Sequence, residues 1–217
     1  MSYVKPKFVN SEIYHVYNRG VEKRELFSDA SDYQHFLDTL SYFREQSPTE
    51  KLSRLPHKVL HSILIELPER PLVTILGHCL MPNHFHLLLR QEKDGGVTSF
   101  MRRSLNSYTH YYNRKYERVG TMFQGRFQAV HVRSDEQFLH VSRYIHLNPS
   151  VARLVNDPLE YPWSSIGAYR RGTVSRLSDP TMILTLAGSA RRYQKFVTDY
   201  ADYARSLADL KHILLDI

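Results

Sequence analysis

The sequence predicts an α+β fold in which helices pack against an antiparallel sheet. Three observations support this fold. Segments with strand and helix character follow one another in the order β, α, β, β, α, β, α, which is typical of an antiparallel sheet covered by helices. Apolar and polar residues alternate from residue 84 to residue 90, as in a half-buried strand. Residues 134–148 combine a helix start signal with an apolar stripe at helical spacing.

Four segments are predicted to be strands. Residues 13–20 alternate in polarity and end at Asn18-Arg19-Gly20, a sequence that favours a turn. Residues 72–80 form an apolar run long enough for a buried strand, and Met81-Pro82-Asn83 separates this run from the next strand. The remaining two strands are residues 84–90 and 127–133.

Two helices are predicted among these strands. Ser31 and Gln34 have the spacing of a capping box, so the first helix is expected from there to about Gln46. The second is a basic amphipathic helix from about Thr98 to Arg118, with Gly120 as the residue that ends it.

A third helix follows the last strand. Ser134 and Gln137 repeat the capping-box spacing and mark its first turn. Its end is expected near Asn148, because a proline at position 149 disfavours helical geometry in the residue before it. Phe138, Val141 and Ile145 form its predicted buried stripe.

The length of the chain, 217 residues, is enough for one sizeable core. We therefore expect one domain over residues 1–172 and a helical C-terminal extension over residues 173–217. Two helices are predicted in the extension, the last from Arg191 to Leu215. Residues 47–70 contain three prolines, and no element is assigned to them.

The composition narrows the function classes. Cys79 is the only cysteine, which excludes an intrachain disulfide and a cysteine-based zinc site within one chain. The sequence has no apolar run of membrane-spanning length and no apolar stretch near Met1 that would indicate a signal peptide. We expect a soluble, cytoplasmic protein with no membrane partner, whose metal ligands, if any, are His, carboxylate or amide groups.

The charge of the chain indicates a polyanionic partner. Lys and Arg number 29 against 22 acidic residues, and much of this excess lies between Arg102 and Arg133. Aromatic residues are interleaved with these cations, as in surfaces that bind unpaired bases. The alternative is a solvated basic surface over buried rings, and the i, i+4 spacing of Tyr108 and Tyr112 favours core packing for those two residues.

Two histidines stand out in the third strand. A period of two places His84 and His86 on one face of that strand, while Phe85 points to the opposite, core face. Two imidazoles on one face can bind one cation. Ordinary packing is the alternative for a His-x-His pair with no third ligand.

Tyr144 and Asn148 are candidates to complete such a site. They are four residues apart on the third helix and therefore lie on one of its faces. The amide oxygen of Asn148 is a ligand that Mg²⁺ or Mn²⁺ accepts, and the Tyr144 phenol would lie within reach of a phosphate on the same ion. The alternatives are a core tyrosine beside Val141 and Ile145 and an amide that ends the helix.

Three ordered motifs then suggest a family. The segments MPNHFHLLL (81–89), GTMFQGRF (120–127) and RYIHLNP (143–149), with Trp163-Ser164-Ser165 after them, resemble the single-tyrosine HUH transposases of the IS200-like group. Within that group the chain resembles the REP-associated tyrosine transposases, and the similarity extends from Glu12 to Tyr169. It implies a ferredoxin-like sheet with the histidines on a central strand and the tyrosine helix across them.

The resemblance also implies a mechanism. His84, His86 and Asn148 would bind Mg²⁺ or Mn²⁺, and Tyr144 would cut single-stranded or hairpin DNA through a 5′-phosphotyrosine intermediate. The partner would be DNA, bound by a monomer or a homodimer. The arginines that surround this site in sequence are candidates for the phosphate contacts: Arg126, Arg102, Arg103, Arg114 and Arg133.

Two other functions remain open from the sequence. One is a non-catalytic DNA-hairpin-binding regulator derived from a transposase, in which Tyr144 would have no chemical role. The other is a metal-dependent hydrolase that uses water, in which Tyr144 would be a packing residue. A covalent protein–DNA adduct would separate both from a transposase.

Overall fold

The computed structural model describes residues 6–44, 71–175 and 177–215, and the side chains as far as residue 208. The prolines of residues 47–70 lie outside the described residues. Within these ranges one antiparallel sheet has the strand order β2-β3-β1-β4. Its strands are β1 (Ile13–Arg19), β2 (Val73–Met81), β3 (His84–Gln91) and β4 (Gln128–Val132). The predicted α+β fold is confirmed, and β1 and β3 are the central strands.

Helices cover both faces of the sheet. The three helices that follow strands β1, β3 and β4 are α1 (Ala30–Phe43), α2 (Gly96–Lys115) and α3 (Asp135–Val151). The C-terminal helices are α4 (Ile166–Arg171), α5 (Thr181–Ala187), α6 (Ala190–Thr198) and α7 (Ala201–Leu215). None of the described helices is long and apolar enough to cross a membrane.

The start of α1 corrects the sequence prediction. Asp29, and not Ser31, is the N-cap residue, because its carboxylate accepts a hydrogen bond from the backbone N–H of Asp32 at 3.0 Å. The Asp32 carboxylate in turn accepts from the backbone N–H of Asp29, which completes a capping box. Aspartate and serine are comparable N-cap residues, so the local pattern offered two starts and the wrong one was chosen.

The ends of the helices also differ from the prediction. Helix α2 ends at Lys115, and Gly120 lies beyond it in a turn, where its carbonyl accepts from the Asn113 amide at 2.9 Å. Helix α3 starts at the expected N-cap, Ser134, but continues to Val151 with Pro149 inside its last turn. A proline costs a helix one backbone hydrogen bond, and the packing of α3 offsets that cost.

The C-terminal region forms three helices after residue 180, where two were predicted. Gly188 ends α5 with a φ of +82°, a conformation that favours glycine, and Ser189 then caps α6 by accepting from the Arg192 N–H. The predicted helix from Arg191 to Leu215 is interrupted because α6 ends at Thr198.

The sheet separates two apolar cores. Helices α1 and α2 pack on one face, where Tyr14, Val16, Phe85, Leu87 and Leu89 are fully buried. Tyr108 and Tyr112 belong to this core, as their spacing predicted. The other face packs against α3 and the C-terminal helices through residues that include Leu76, Leu88, Phe138, Ile145 and Tyr193.

Helix α3 is held on its face by the C-terminal helices. The Arg143 guanidinium lies over the rings of Phe196 and Tyr200, with its Cζ atom 4.1 and 4.0 Å from the ring centroids. Trp163 and Ser165 pair with the outer edge of β2 through Leu80 N–H and His78 C=O. The extension therefore fixes the position of the helix that carries Tyr144.

Candidate active site

The polar side chains of the two central strands face α3. In β1 these residues are His15, Tyr17 and Arg19, and Tyr17 pairs with His86 while Arg19 pairs with His84. Because side chains alternate between faces, Val16 between them enters the opposite core. One face of the sheet therefore brings together side chains from two segments that are about 70 residues apart in sequence.

The structure places His84 and His86 on one face, with ring centroids 5.1 Å apart and perpendicular planes. Each ring uses Nδ1 in a side-chain hydrogen bond, His84 with Asn83 Oδ1 at 2.7 Å and His86 with His15 Nε2 at 2.9 Å. Burial lowers the pKa of both histidines, that of His86 well below its ordinary value. Both rings are therefore neutral at pH 7, and each can present Nε2 to a cation.

Tyr144 extends from α3 towards these rings. It is 52% exposed, and its ring lies edge-on to His86, with centroids 5.4 Å apart, and to His15 at 6.0 Å. Burial raises the pKa of Tyr144, and hydrogen bonding with Asn148 offsets this only in part. The phenol is therefore protonated at pH 7.

Asn148 lies one helical turn from Tyr144, as its spacing predicted. Its amide Nδ2 donates to the Tyr144 backbone carbonyl at 2.9 Å, which leaves the amide oxygen out of that bond. Asn148 does not line the cavity that contains the two histidines. Among the described residues, no group of three or more His, Cys, Asp or Glu side chains could hold a metal ion. The candidate metal donors near Tyr144 are His84, His86 and the Asn148 amide, and the His15 ring also lies beside Tyr144.

A cavity of about 590 Å³ opens where these side chains meet, and it is lined by His84, His86, Tyr144 and Tyr17. Arg19 and Lys23, with Asn83, Gln124 and Gln128, form other parts of its wall. The positive charge of Arg19 acts on His84, adding to the effect of burial in lowering its pKa. The cavity therefore combines imidazole donors, two phenols and cationic groups that suit a phosphodiester.

The GTMFQGRF segment builds one wall of this cavity. Gln124 donates its backbone N–H to the Arg19 carbonyl at 2.9 Å, and its side-chain oxygen accepts from Arg19 Nε. Phe123 forms a bridge with Gly20 in the same short ladder. A side chain at Gly20 would place Cβ 2.0 Å from the Arg24 carbonyl oxygen, so only glycine fits there. This packing holds the Arg19 guanidinium at the cavity.

The five arginines chosen from the sequence do not line this cavity. Arg103 lies over the Phe43 ring, with its Cζ atom 4.8 Å from the centroid. The other four are exposed: Arg102, Arg114, Arg126 and Arg133. Sequence reasoning missed Arg19, Lys23 and Gln124 instead. The alternation of His15, Tyr17 and Arg19 in β1 was a signal that could have found the first of them.

A buried polar network lies on the far side of α3. His146 Nδ1 is 2.6 Å from the Tyr193 hydroxyl, and its Nε2 is 2.7 Å from Ser165 Oγ. Tyr193 also donates to Ser142 Oγ at 3.0 Å. These bonds link α3 to α6 and to the segment that covers the β2 edge.

A comparison with known protein families identifies the family of the chain. The sequence model of the IS200-like transposases matches residues 13–148, which is more than half of the chain and includes both histidines and Tyr144. The chain belongs to the IS200-like transposase family. The family membership that the three sequence motifs indicated is thereby confirmed.

The fold of this IS200-like transposase matches a solved structure described as a REP-associated tyrosine transposase bound to a REP hairpin. The alignment covers 83% of this chain and 93% of that chain, with a TM-score of 0.57 and 16% sequence identity. The two proteins share a fold at this level of identity. No curated protein gives a significant sequence match to the chain.

Proposed function

We propose that this protein is a metal-dependent endonuclease and strand-transferase that cuts single-stranded, hairpin-associated DNA through a 5′-phosphotyrosine intermediate. The observation that carries the proposal is the shared cavity of His84, His86 and Tyr144. Family membership supports DNA transposition as the broader activity. The cavity places the Tyr144 phenol beside two neutral imidazoles. Arg19 and Lys23 supply positive charge for the neighbouring phosphates of the backbone.

Two imidazoles of the cavity are the donors that support binding of a divalent cation. His84 and His86 each have Nδ1 in a hydrogen bond, and Nε2 is the nitrogen that remains for an ion. Asn148 Oδ1 is our proposed third ligand, and Mg²⁺ or Mn²⁺ accepts such a mixed set with water in the other positions. Bound there, the cation would withdraw charge from a phosphate oxygen and stabilise the departing 3′ oxygen.

The Tyr144 hydroxyl is the proposed nucleophile. Its oxygen forms a bond to phosphorus as the bond between phosphorus and the 3′ oxygen breaks, and the phenolic proton leaves to solvent while the 3′ oxygen gains one. The products are a 5′-phosphotyrosine and a free 3′-hydroxyl. Because one phosphodiester replaces another, a second 3′-hydroxyl can reverse the step on a different strand without ATP.

Unpaired DNA is the proposed substrate. The cavity lies between the sheet and α3, and an unpaired phosphodiester bends into such a site more readily than one in a duplex. A similar fold binds a REP hairpin in the solved structure, which supports a hairpin with single-stranded flanks as the form of the substrate. Arg19 and Lys23 would contact the phosphates beside the one that is cut.

The test is a Tyr144→Phe variant incubated with end-labelled hairpin DNA with single-stranded flanks and Mg²⁺ or Mn²⁺. We expect cleavage and the covalent adduct on a denaturing gel to disappear, because a phenyl ring cannot form a phosphotyrosine. Hairpin binding should stay near the wild-type value, since half of the Tyr144 side chain is exposed and its ring is retained.

Tyr17→Phe is the matched control, because Tyr17 is another phenol that lines the same cavity. It should keep both cleavage and adduct. Tyr112 is a poorer candidate, since its hydroxyl is buried and lies 2.7 Å from Ser28 Oγ. If Tyr17→Phe loses the adduct and Tyr144→Phe keeps it, our nucleophile is wrong. Cleavage by the wild type without any adduct would indicate a water-using hydrolase, and binding without cleavage a regulator.

A further inference from the structure

We propose that His15 is a positioning residue, which holds His86 in the tautomer that presents its Nε2 lone pair to the cavity. This inference rests on the proposed function, because it assigns a role to His86 as a metal ligand. It adds to the site a residue from β1, more than 65 positions before the histidine pair in the sequence. His15 would act through His86 and would not touch the DNA or the ion.

The contact between the two rings carries this inference. His15 Nε2 lies 2.9 Å from His86 Nδ1, and the rings are nearly parallel, with an interplanar angle of 27° and centroids 5.0 Å apart. His86 pairs directly with Tyr17, so His15 reaches it diagonally across the β1–β3 ladder. His86 is only 6% exposed, and its ring is enclosed by these neighbours.

A single proton lies between the two nitrogens, and it has two possible positions. If His15 Nε2 carries it, His86 Nδ1 is the acceptor and the remaining proton of a neutral His86 is on Nε2, which then cannot bind a cation. If His86 Nδ1 carries the proton, its Nε2 is a free donor atom. His15 selects the second arrangement by offering Nε2 as the acceptor and keeping its own proton on Nδ1.

The surroundings of His15 accommodate that tautomer. His15 is partly exposed and lines a second cavity, of about 470 Å³, with Val130, Val141 and His140. Water in this cavity can accept a hydrogen bond from the His15 Nδ1–H. Histidines that bind metals commonly donate their other N–H to a carboxylate or a carbonyl. An imidazole acceptor orients His86 without placing a negative charge beside the phosphodiester.

The first measurement is Mn²⁺ affinity without DNA, followed by electron paramagnetic resonance. His15→Phe keeps an aromatic ring and removes the acceptor, and we expect affinity to fall by about 10- to 100-fold, as for other residues that orient a metal ligand. His15→Gln can place its amide oxygen near the lost Nε2 and should restore most of the affinity. His140→Phe is the matched control. It makes the same substitution at another histidine of the second cavity, whose ring bonds to Arg143 and not to His86, and it should leave Mn²⁺ affinity unchanged.

The second measurement reads the tautomer itself in the metal-free protein. With ¹⁵N-labelled histidine, the wild type should show His86 protonated on Nδ1, and His15→Phe should shift His86 towards Nε2 protonation. Circular dichroism would verify that each variant is folded. His86 protonated on Nε2 in the wild type, or equal Mn²⁺ affinity in His15→Phe and the wild type, would overturn the inference. So would a His15→Gln variant that binds as weakly as His15→Phe.

These results are separable from a failure of the proposed function. A wild type that binds Mn²⁺ and loses affinity in His15→Phe, yet never cuts DNA, would reject the endonuclease and support the role of His15. A wild type that cuts DNA, and whose Mn²⁺ affinity is unchanged in His15→Phe, would support the endonuclease and reject the role of His15. A wild type that binds no Mn²⁺ would reject both.

Discussion

The two faces of the sheet use the same strands for different purposes. On the α1–α2 face, β1 and β3 contribute Tyr14, Val16, Phe85, Leu87 and Leu89, and none of these has measurable exposure. On the α3 face, the same two strands present His84, His86, Tyr17 and Arg19 to an open cavity, while Leu88 is buried in the second core. Alternation along a strand therefore lets one ladder anchor the fold and present the reactive groups.

The difference arises from how much of each face is covered. Burial of apolar surface stabilises the fold by about 25 cal/mol per Å². The α1–α2 face therefore contributes to the free energy of unfolding in proportion to its buried apolar area. Helix α3 covers only part of its face, and the uncovered part retains groups that water or a substrate can satisfy. At the central strands, the α1–α2 side should therefore contribute more to stability than the side that faces the cavity, where we expect the chemistry.

Phe85→Ala should have the largest effect on stability. Its ring is fully buried against Phe36, with centroids 5.3 Å apart, and its loss should lower the free energy of unfolding by about 3–5 kcal/mol. His84→Ala, one residue away on the other face, should cost about 1 kcal/mol or less. Urea denaturation of both variants measures the contrast. Equal losses would show that the two faces do not differ as we describe.

The α1–α2 face also carries one buried histidine at its β2 edge. His78 pairs with Leu87, and burial lowers its pKa to about 4, while in the unfolded chain it is about 6.5. Between these values the unfolded chain binds a proton that the folded protein does not. The contribution of His78 to the unfolding free energy should therefore be highest above pH 6.5 and fall as the pH is lowered towards 4, by about 2 kcal/mol at pH 5.

His78→Asn should reduce the difference in unfolding free energy between pH 7 and pH 5 by that amount. Asparagine keeps a polar group near Ser178 Oγ, which His78 Nδ1 contacts at 2.8 Å. His110→Asn on α2 is the control, because an exposed histidine meets water in both states. The interpretation would be contradicted if both variants changed the pH dependence equally.

The smallest expected effect concerns the cations of the α3 face. Arg19→Gln should reduce the slope of log affinity against log salt by about 0.7 for single-stranded DNA, the value for one lost phosphate contact. Arg126→Gln provides the comparison, because Arg126 is exposed but does not line the cavity. Filter binding over a range of salt concentrations measures both slopes. A change with Arg126→Gln alone would return the DNA path to the arginines that the sequence suggested.

Local patterns in the sequence were sufficient for the central features of the fold. Alternation placed His84 and His86 on one face, opposite Phe85, because a strand fixes side-chain direction with a period of two. The four-residue spacing of Tyr144 and Asn148 placed them one turn apart on α3. Such inferences do not depend on which strands and helices contact one another in the fold.

The remaining features depend on contacts between distant segments. Alternation in β1 assigns Arg19 to the polar face, but its place at the cavity depends on the pairing of β1 with β3 and on Gln124, and neither of these contacts leaves a local pattern. The interaction of His15 with His86 has the same origin. The predicted end of α3 was wrong for a different reason. Tertiary packing extends this helix past Pro149, although proline has a low helix propensity.

His146 has a further consequence for the direction of the tyrosine. It lies two residues after Tyr144, or about 200° around the helix, and both of its ring nitrogens have partners, Tyr193 and Ser165. Turning α3 by one residue would rotate it by about 100° and leave both ring nitrogens of a fully buried histidine without these partners. The position of Tyr144 is thus fixed by contacts on the opposite side of α3, and in the function proposed above its hydroxyl would need no rearrangement of this helix when DNA binds.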